Sequence, residues 1–141
     1  MKSDERRVCI VPCSGIGKPF GTVSREAAYE IVEELRPQSA ELVALALLVL
    51  GDESARNAVR TQATVTIDGC KLMCAAKVVA QNGGRIAREF AVLDAFRQRP
   101  DLRPEGIAEL NDAGRQLARV LAEEVAAGVD GATGAGGGEH F

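Results

Sequence analysis

Short apolar runs alternate with amphipathic segments along this chain. Residues 7–12 form an apolar run without helical period, which predicts a strand buried on both faces. A glycine-rich loop follows at residues 13–21. Beyond it, apolar residues recur at helical spacing, at Val23, Ala27, Ala28, Ile31, Val32 and Leu35. Thr22 or Ser24 is suited to cap this helix and Pro37 to end it.

The same alternation continues to the closing helix. Three further segments have strand patterns, at residues 41–44, 63–67 and 86–93. Helical patterns are found at residues 45–50, 53–60 and 112–127. Another helix is predicted to start at the Asp68-Gly69-Cys70 sequence, with Leu72, Ala75, Ala76 and Val79 on its apolar face, and to stop at Asn82.

Strands that alternate with helices predict a parallel sheet with right-handed crossovers. We therefore expect an α/β fold, a single-domain three-layer sandwich with a mostly parallel Rossmann-like sheet, over residues 1–127. Glycines are concentrated beyond this point, so residues 128–141 are predicted to form a disordered Gly-rich tail.

Composition narrows the class of protein. The chain has 141 residues, is 46% hydrophobic and has a net charge of −3, with acidic and basic residues mixed. This balance argues against nucleic acid as a partner, and the longest apolar stretch, residues 42–50, is too short to span a membrane. We expect a cytoplasmic protein whose partner is an unknown small molecule or protein. Cytoplasmic thiols stay reduced, which favours metal ligands or reactive groups over disulfides.

Cysteines follow two of the predicted strands. Cys13 and Cys70 end strand-like runs, and the carboxyl ends of parallel strands meet at one edge of a sheet. Cys74 lies four residues after Cys70, so a helix starting there would place the two on one face, about 6 Å apart. The three thiols are candidate ligands of one zinc ion. Burial as small core residues is an equal alternative from spacing alone.

Cys9 is a poorer candidate ligand. In an extended strand its Cα is about 13 Å from that of Cys13, too far for one metal ion. We therefore interpret Cys9 as a buried core residue. The only histidine, His140, lies in the glycine-rich tail, which leaves no base for a Cys-His or Ser-His apparatus. No catalytic residue and no reaction are assigned.

Four further residues are candidates for a supporting role at this edge. Ser14, Gly15 and Lys18 belong to the first loop, which either presents backbone N–H groups to an anion or forms a tight connecting turn. Asp68 is either a site carboxylate or a turn residue that bonds to its own backbone.

Three stretches resemble the DGC-domain family, which is named for its Asp-Gly-Cys sequence. They read IVPCSGIGKPFGTVSREAAYEIVEELRP, LALLVLGD and TIDGCKLMCA, and the similarity runs from about Arg7 to Val125. The resemblance implies zinc binding through Cys13, Cys70 and Cys74, with no assigned activity. Similar sequences tend to have a cysteine where this chain has Ala44, which implies an open fourth position on the metal.

Two other classes of function remain alternatives to zinc binding. One is a metal-free thiol or redox protein that uses Cys70 or Cys13. The other is a small anion- or partner-binding module that uses the loop at residues 13–22. An iron–sulfur cluster is the minority alternative to zinc at the same cysteines.

Overall fold

The computed structural model describes residues 7–13, 19–69, 72–106 and 109–133. Within these ranges the chain forms four strands, β1 (Val8–Pro12), β2 (Ala40–Leu42), β3 (Ala63–Asp68) and β4 (Arg85–Ala91). It also forms six α-helices, α1 (Pro19–Glu30), α2 (Leu45–Leu50), α3 (Glu53–Thr61), α4 (Cys74–Gln81), α5 (Val92–Gln98) and α6 (Asp112–Thr133). A π-helical segment, Ile31–Leu35, continues α1.

The four strands form one sheet in the order β2-β1-β3-β4, and every pair in it is parallel. Pro12 lies opposite Ile67, so the carboxyl ends of β1 and β3 are side by side. The chain leaves β1 toward β2 and leaves β3 in the opposite direction toward β4. The two central strands therefore flank the switch point at which open α/β sheets form ligand sites.

Helices cover both faces of the sheet, which confirms the three-layer α/β architecture. On one face, α1, α5 and α6 pack against strand residues such as Ile10, Val65 and Phe90. On the other face, α2, α3 and α4 pack against Cys9 and Val11. The central strands are buried on both faces, as expected for parallel strands covered by helices. β1 is apolar throughout, whereas β3 also buries the polar residues Thr64 and Thr66.

The first helix begins earlier than the sequence pattern predicts. Since α1 spans Pro19–Glu30, Thr22 and Ser24 lie inside the helix and are buried, so neither is its cap. Proline fits the first turn of a helix because its fixed φ is helical and the missing N–H has no partner there. The Ser24 hydroxyl donates instead to the Gly21 carbonyl at 2.7 Å.

The fourth strand is shorter than predicted and is followed by a helix that the pattern missed. β4 ends at Ala91, and Val92 begins α5, where Val92 and Ala95 are buried against α1 and α6. Seven residues are too few for a helical period to stand out from an apolar strand pattern.

The closing helix passes the predicted end of the domain at residue 127. α6 continues to Thr133, so the prediction of disorder is wrong for residues 128–133, and residues 134–141 lie outside the described ranges. Val129 is fully buried in the core, and a Cβ on Gly128 would lie 3.2 Å from the Phe90 ring. Packing therefore outweighs the helix-breaking tendency of glycine, about 1 kcal/mol per residue.

Candidate functional site

The Cys13 thiol lies at the carboxyl end of β1, next to the turn that follows β3. Its backbone N–H donates to the Ile67 carbonyl at 2.9 Å, which extends the β1–β3 pairing by one residue. Its buried sulfur accepts a hydrogen bond of 3.0 Å from the backbone N–H of Gly69. The Ser24 hydroxyl lies 3.5 Å from the same sulfur. Two polar groups from α1 and from the turn after β3 thus lie against this sulfur.

Asp68 ends β3 and has a buried carboxylate that reaches the start of α4. Its two oxygens accept hydrogen bonds from the backbone N–H groups of Ala75, at 2.6 Å, and Ala76, at 3.2 Å. Burial raises the pKa of the Asp68 carboxyl, and these two hydrogen bonds oppose the rise. Asp68 is thus a long-range helix cap, and it does not turn back onto its own backbone.

Cys74 is the first residue of α4, and its side chain is exposed. The prediction that the helix starts at Cys70 is wrong, because Met73 has a left-handed backbone, with φ of 54° and ψ of 49°. Cys74 is therefore in the first turn of α4 rather than in a second turn. Cys70 itself lies outside the described residues.

Gly69 is enclosed between the sheet and α1. A Cβ on Gly69 would lie 2.9 Å from the nitrogen of Gly21 and 2.9 Å from the carbonyl carbon of Phe20. Such contacts with backbone atoms leave room for glycine only. This close approach brings the turn after β3 against the first turn of α1. Ser24 lies on the same helix, with its hydroxyl oriented toward the Cys13 sulfur.

Cys9 lies on the same face of β1 as Cys13, within the core that the sheet forms with α2, α3 and α4. It is fully buried, and its thiol lies 3.9 Å from a carboxylate oxygen of Glu41. Burial, followed by the negative charge of Glu41, raises the pKa of Cys9 to about 12. The thiol is protonated at neutral pH, in agreement with its interpretation as a core residue rather than a ligand.

Several predicted site residues cannot be placed. Ser14, Gly15, Lys18 and Cys70 all lie outside the described residues. Among the residues that are described, no three His, Cys, Asp or Glu side chains converge on a common metal position. Cys13 and Cys74 alone would supply two thiolates, so a zinc site of the predicted kind requires Cys70.

Two residues of this edge are not among the site residues that the sequence predicts. The sequence pattern predicts Ser24 only as a helix cap, yet its hydroxyl contacts the Cys13 sulfur. Gly21 has no chemical signal of its own and matters because its backbone touches Gly69. A hydroxyl one turn into a helix that follows a strand-end cysteine is the only signal that could have suggested Ser24.

Two clefts lie near this part of the sheet. One of about 300 Å³ is lined by residues of the carboxyl end of β4, of α5 and of the position before α4, namely Met73, Glu89, Ala91, Leu93, Asp94 and Arg97. A larger one of about 390 Å³ lies between β4, α5 and α6 and has no cysteine in its lining. The smaller cleft is the one that adjoins the start of α4.

Comparison with known proteins gives one match. The model of the family described as the DGC domain matches residues 9–120, which include Cys9, Cys13, Cys70 and Cys74. No curated protein and no solved structure matches the chain. The described residues contain no helix that is long and apolar enough to cross a membrane.

Proposed function

This chain belongs to the DGC-domain family, and we propose that it is a zinc-binding protein whose thiolate ligands are Cys13, Cys70 and Cys74. The site lies at the carboxyl edge of the parallel sheet, where β1 and β3 end at the switch point. Three soft sulfur ligands favour zinc over magnesium or calcium. The proposal places the protein in the cytoplasm, where thiols stay reduced.

The observation that supports this proposal most directly is the hydrogen bond from the Gly69 N–H to the Cys13 sulfur. A backbone N–H at 3.0 Å from a buried sulfur stabilises negative charge on it, as hydrogen bonds around metal-bound ligands do. Cys70 is the next residue after Gly69, and consecutive Cα atoms are about 3.8 Å apart. On this ground the proposal takes Cys70 as a second ligand of the same ion.

Cys74 supplies the third thiolate from the exposed start of α4. Three protein ligands with a fourth position open to water form the layout of catalytic or exchangeable zinc, whereas four cysteines form closed structural sites. The open position would take a small molecule or a partner protein. No reaction is proposed, because the described residues near Cys13 do not define a substrate.

One observation favours the metal-free thiol protein as a second candidate. The Gly69 N–H would stabilise a free Cys13 thiolate as well as a metal-bound one. The start of α4 gives this candidate less support, because the Asp68 carboxylate already accepts from two of its amides. Metal content separates the two candidates.

Competition with a chromophoric zinc chelator tests the proposal. Cys13→Ser, Cys70→Ser and Cys74→Ser should each weaken zinc binding strongly, since each removes one of three ligands. Cys9→Ser is the matched control and should leave the affinity unchanged, because Cys9 is buried away from the edge. Equal losses in all four variants would contradict the assignment, and a brown protein after anaerobic purification would indicate an iron–sulfur cluster instead.

A further inference from the structure

The Asp68–Gly69 dipeptide contacts the Cys13 sulfur through its backbone and the start of α4, where Cys74 lies, through its side chain. The Gly69 N–H bonds to the Cys13 sulfur, and the Asp68 carboxylate bonds to the first amides after Cys74. We propose that Asp68 is a positioning residue that fixes the Cys74 thiol relative to Cys13. This inference rests on the proposed zinc site.

The described residue directly before α4 does not cap the helix with its side chain. Met73 precedes the helix with a left-handed backbone, and its side chain makes no capping hydrogen bond. The first amides of a helix have no partner within the helix and need one from elsewhere. Asp68 supplies it from the end of a central strand, so the position of Cys74 is set by the sheet.

The start of α3 is capped in the ordinary way, by the residue directly before the helix. There Asp52 precedes the helix directly and accepts from the Ala55 N–H at 2.9 Å. Asp52 and Asp68 thus cap helices with the same chemical group, but only Asp68 links its helix to the strand end that adjoins Cys13. This pair provides a matched comparison between capping alone and capping that positions a ligand.

A double-mutant cycle tests the proposal. Asp68→Ala should weaken zinc binding about 10- to 100-fold, the usual effect of losing a group that orients a ligand. In a Cys74→Ser background the same change should have almost no further effect, because Asp68 acts through Cys74. Asp68→Asn keeps the size of the side chain and one acceptor oxygen, and should restore part of the affinity. Asp52→Ala should lower the melting temperature and leave zinc affinity unchanged.

Some results would overturn this role. Equal losses from Asp68→Ala with and without Cys74 would show that Asp68 does not act through that thiol. A loss of zinc affinity in Asp52→Ala as large as that in Asp68→Ala would show that the loss comes from a less stable fold and not from the position of Cys74. If Asp68→Ala does not fold, Asp68→Asn in the same cycle decides between these outcomes.

A metal-free measurement separates failure of this inference from failure of the zinc proposal. In zinc-free protein, Asp68→Asn should speed amide hydrogen exchange at Ala75 and Ala76 about tenfold and change the alkylation rate of Cys74. Asp52→Asn should do neither. If the wild-type chain binds no zinc, these rates still test the positioning role, and unchanged rates would overturn it.

Discussion

The backbone N–H of Gly69 donates a hydrogen bond of 3.0 Å to the sulfur of Cys13, although 56 residues separate them in sequence. This bond joins the end of β1 to the turn after β3. It gives the Asp-Gly-Cys sequence a structural meaning, because the glycine both contacts the sulfur and fits against the backbone of Gly21.

The space around Gly69 leads to the first prediction. Gly69→Ala should destabilise the fold by about 1–3 kcal/mol, because the new Cβ would lie 2.9 Å from backbone atoms of Gly21 and Phe20. It should also weaken zinc binding, because the turn must move away from Cys13. Urea unfolding and a zinc titration measure the two effects.

Gly131→Ala is the control for this change. No atom lies within 4 Å of a Cβ at Gly131, and the residue is inside α6. Alanine should therefore stabilise the protein by about 0.5–1 kcal/mol through its higher helix propensity. A Gly69→Ala protein as stable as the wild type would contradict the close approach of the turn to α1.

The parallel sheet was predictable because it depends on a pattern that the chain repeats. Strand patterns at residues 7–12 and 63–67 indicated buried parallel neighbours, and the structure pairs them as β1 and β3, with Cys13 directly after β1. Strand order needs the crossovers as well. The alternation of strands and helices therefore predicted the Rossmann-like architecture but not the order β2-β1-β3-β4.

The start of α4 was not predictable, because a distant residue determines it. Residues 70–81 have a continuous helical pattern, yet the helix begins at Cys74. Asp68 binds the amides of Ala75 and Ala76 from the end of β3, and Met73 takes a left-handed conformation that composition does not indicate. Tertiary contacts thus override local propensity at the site itself.

The buried Cys9 thiol leads to a prediction about alkaline pH. Its folded pKa of about 12 exceeds the ordinary value of 9.0, so folding favours the protonated thiol. The resulting stability is present below pH 9 and is lost as pH rises toward 12. The stability difference between wild type and Cys9→Ala should shrink by about 2 kcal/mol from pH 7.5 to about pH 10.5, measured by urea unfolding.

Alkylation provides an independent check on Cys9. In native protein at neutral pH a thiol reagent should label the exposed Cys74 and leave Cys9 unlabelled until the chain unfolds. Rapid labelling of Cys9, or a stability difference that does not change with pH, would contradict its burial as a protonated thiol.

The Arg36–Asp130 ion pair leads to a prediction about the end of α6. Both guanidinium contacts are 2.7 Å, and the hydrogen bonds from Arg36 lower the pKa of Asp130. The stability that the ion pair adds to the folded state is therefore present at neutral pH and is lost as pH falls through this lowered pKa. Because the pair is partly exposed, Asp130→Asn should cost about 0.5–1 kcal/mol at pH 7 and almost nothing near pH 2.

Asp94→Asn is the control for this pair. Asp94 and Arg97 are 3.6 Å apart and largely exposed, so the substitution should change stability by less than about 0.5 kcal/mol. If Asp130→Asn also has no effect at pH 7, residues 128–133 are not docked against the π-helical segment as the structure has them.

Ala44 leads to a prediction about the fourth position on the metal. It follows β2, directly precedes α2 and is exposed, so it lies at the same edge of the sheet as Cys13. Ala44→Cys should supply a fourth thiolate, tighten zinc binding by roughly tenfold, about 1.4 kcal/mol, and exclude an added small thiol from the metal. Chelator competition and thiol labelling measure both effects.

Ala46→Cys is the matched control, since Ala46 is also exposed but lies inside α2. Ala46→Cys should leave zinc affinity unchanged, and its new thiol should be labelled freely. If the cysteine of Ala44→Cys is labelled equally freely while zinc is bound, residue 44 faces away from the site and the inference of an open fourth position loses this support.

The zinc content of the purified chain tests the central claim most directly. Protein prepared under reducing conditions, without chelators or metal-affinity resin, should contain about one zinc ion per chain by native mass spectrometry. Cys9→Ser should retain the ion, and Cys13→Ser should lose it. A wild-type chain that stays zinc-free after anaerobic incubation with a slight excess of zinc would contradict the account.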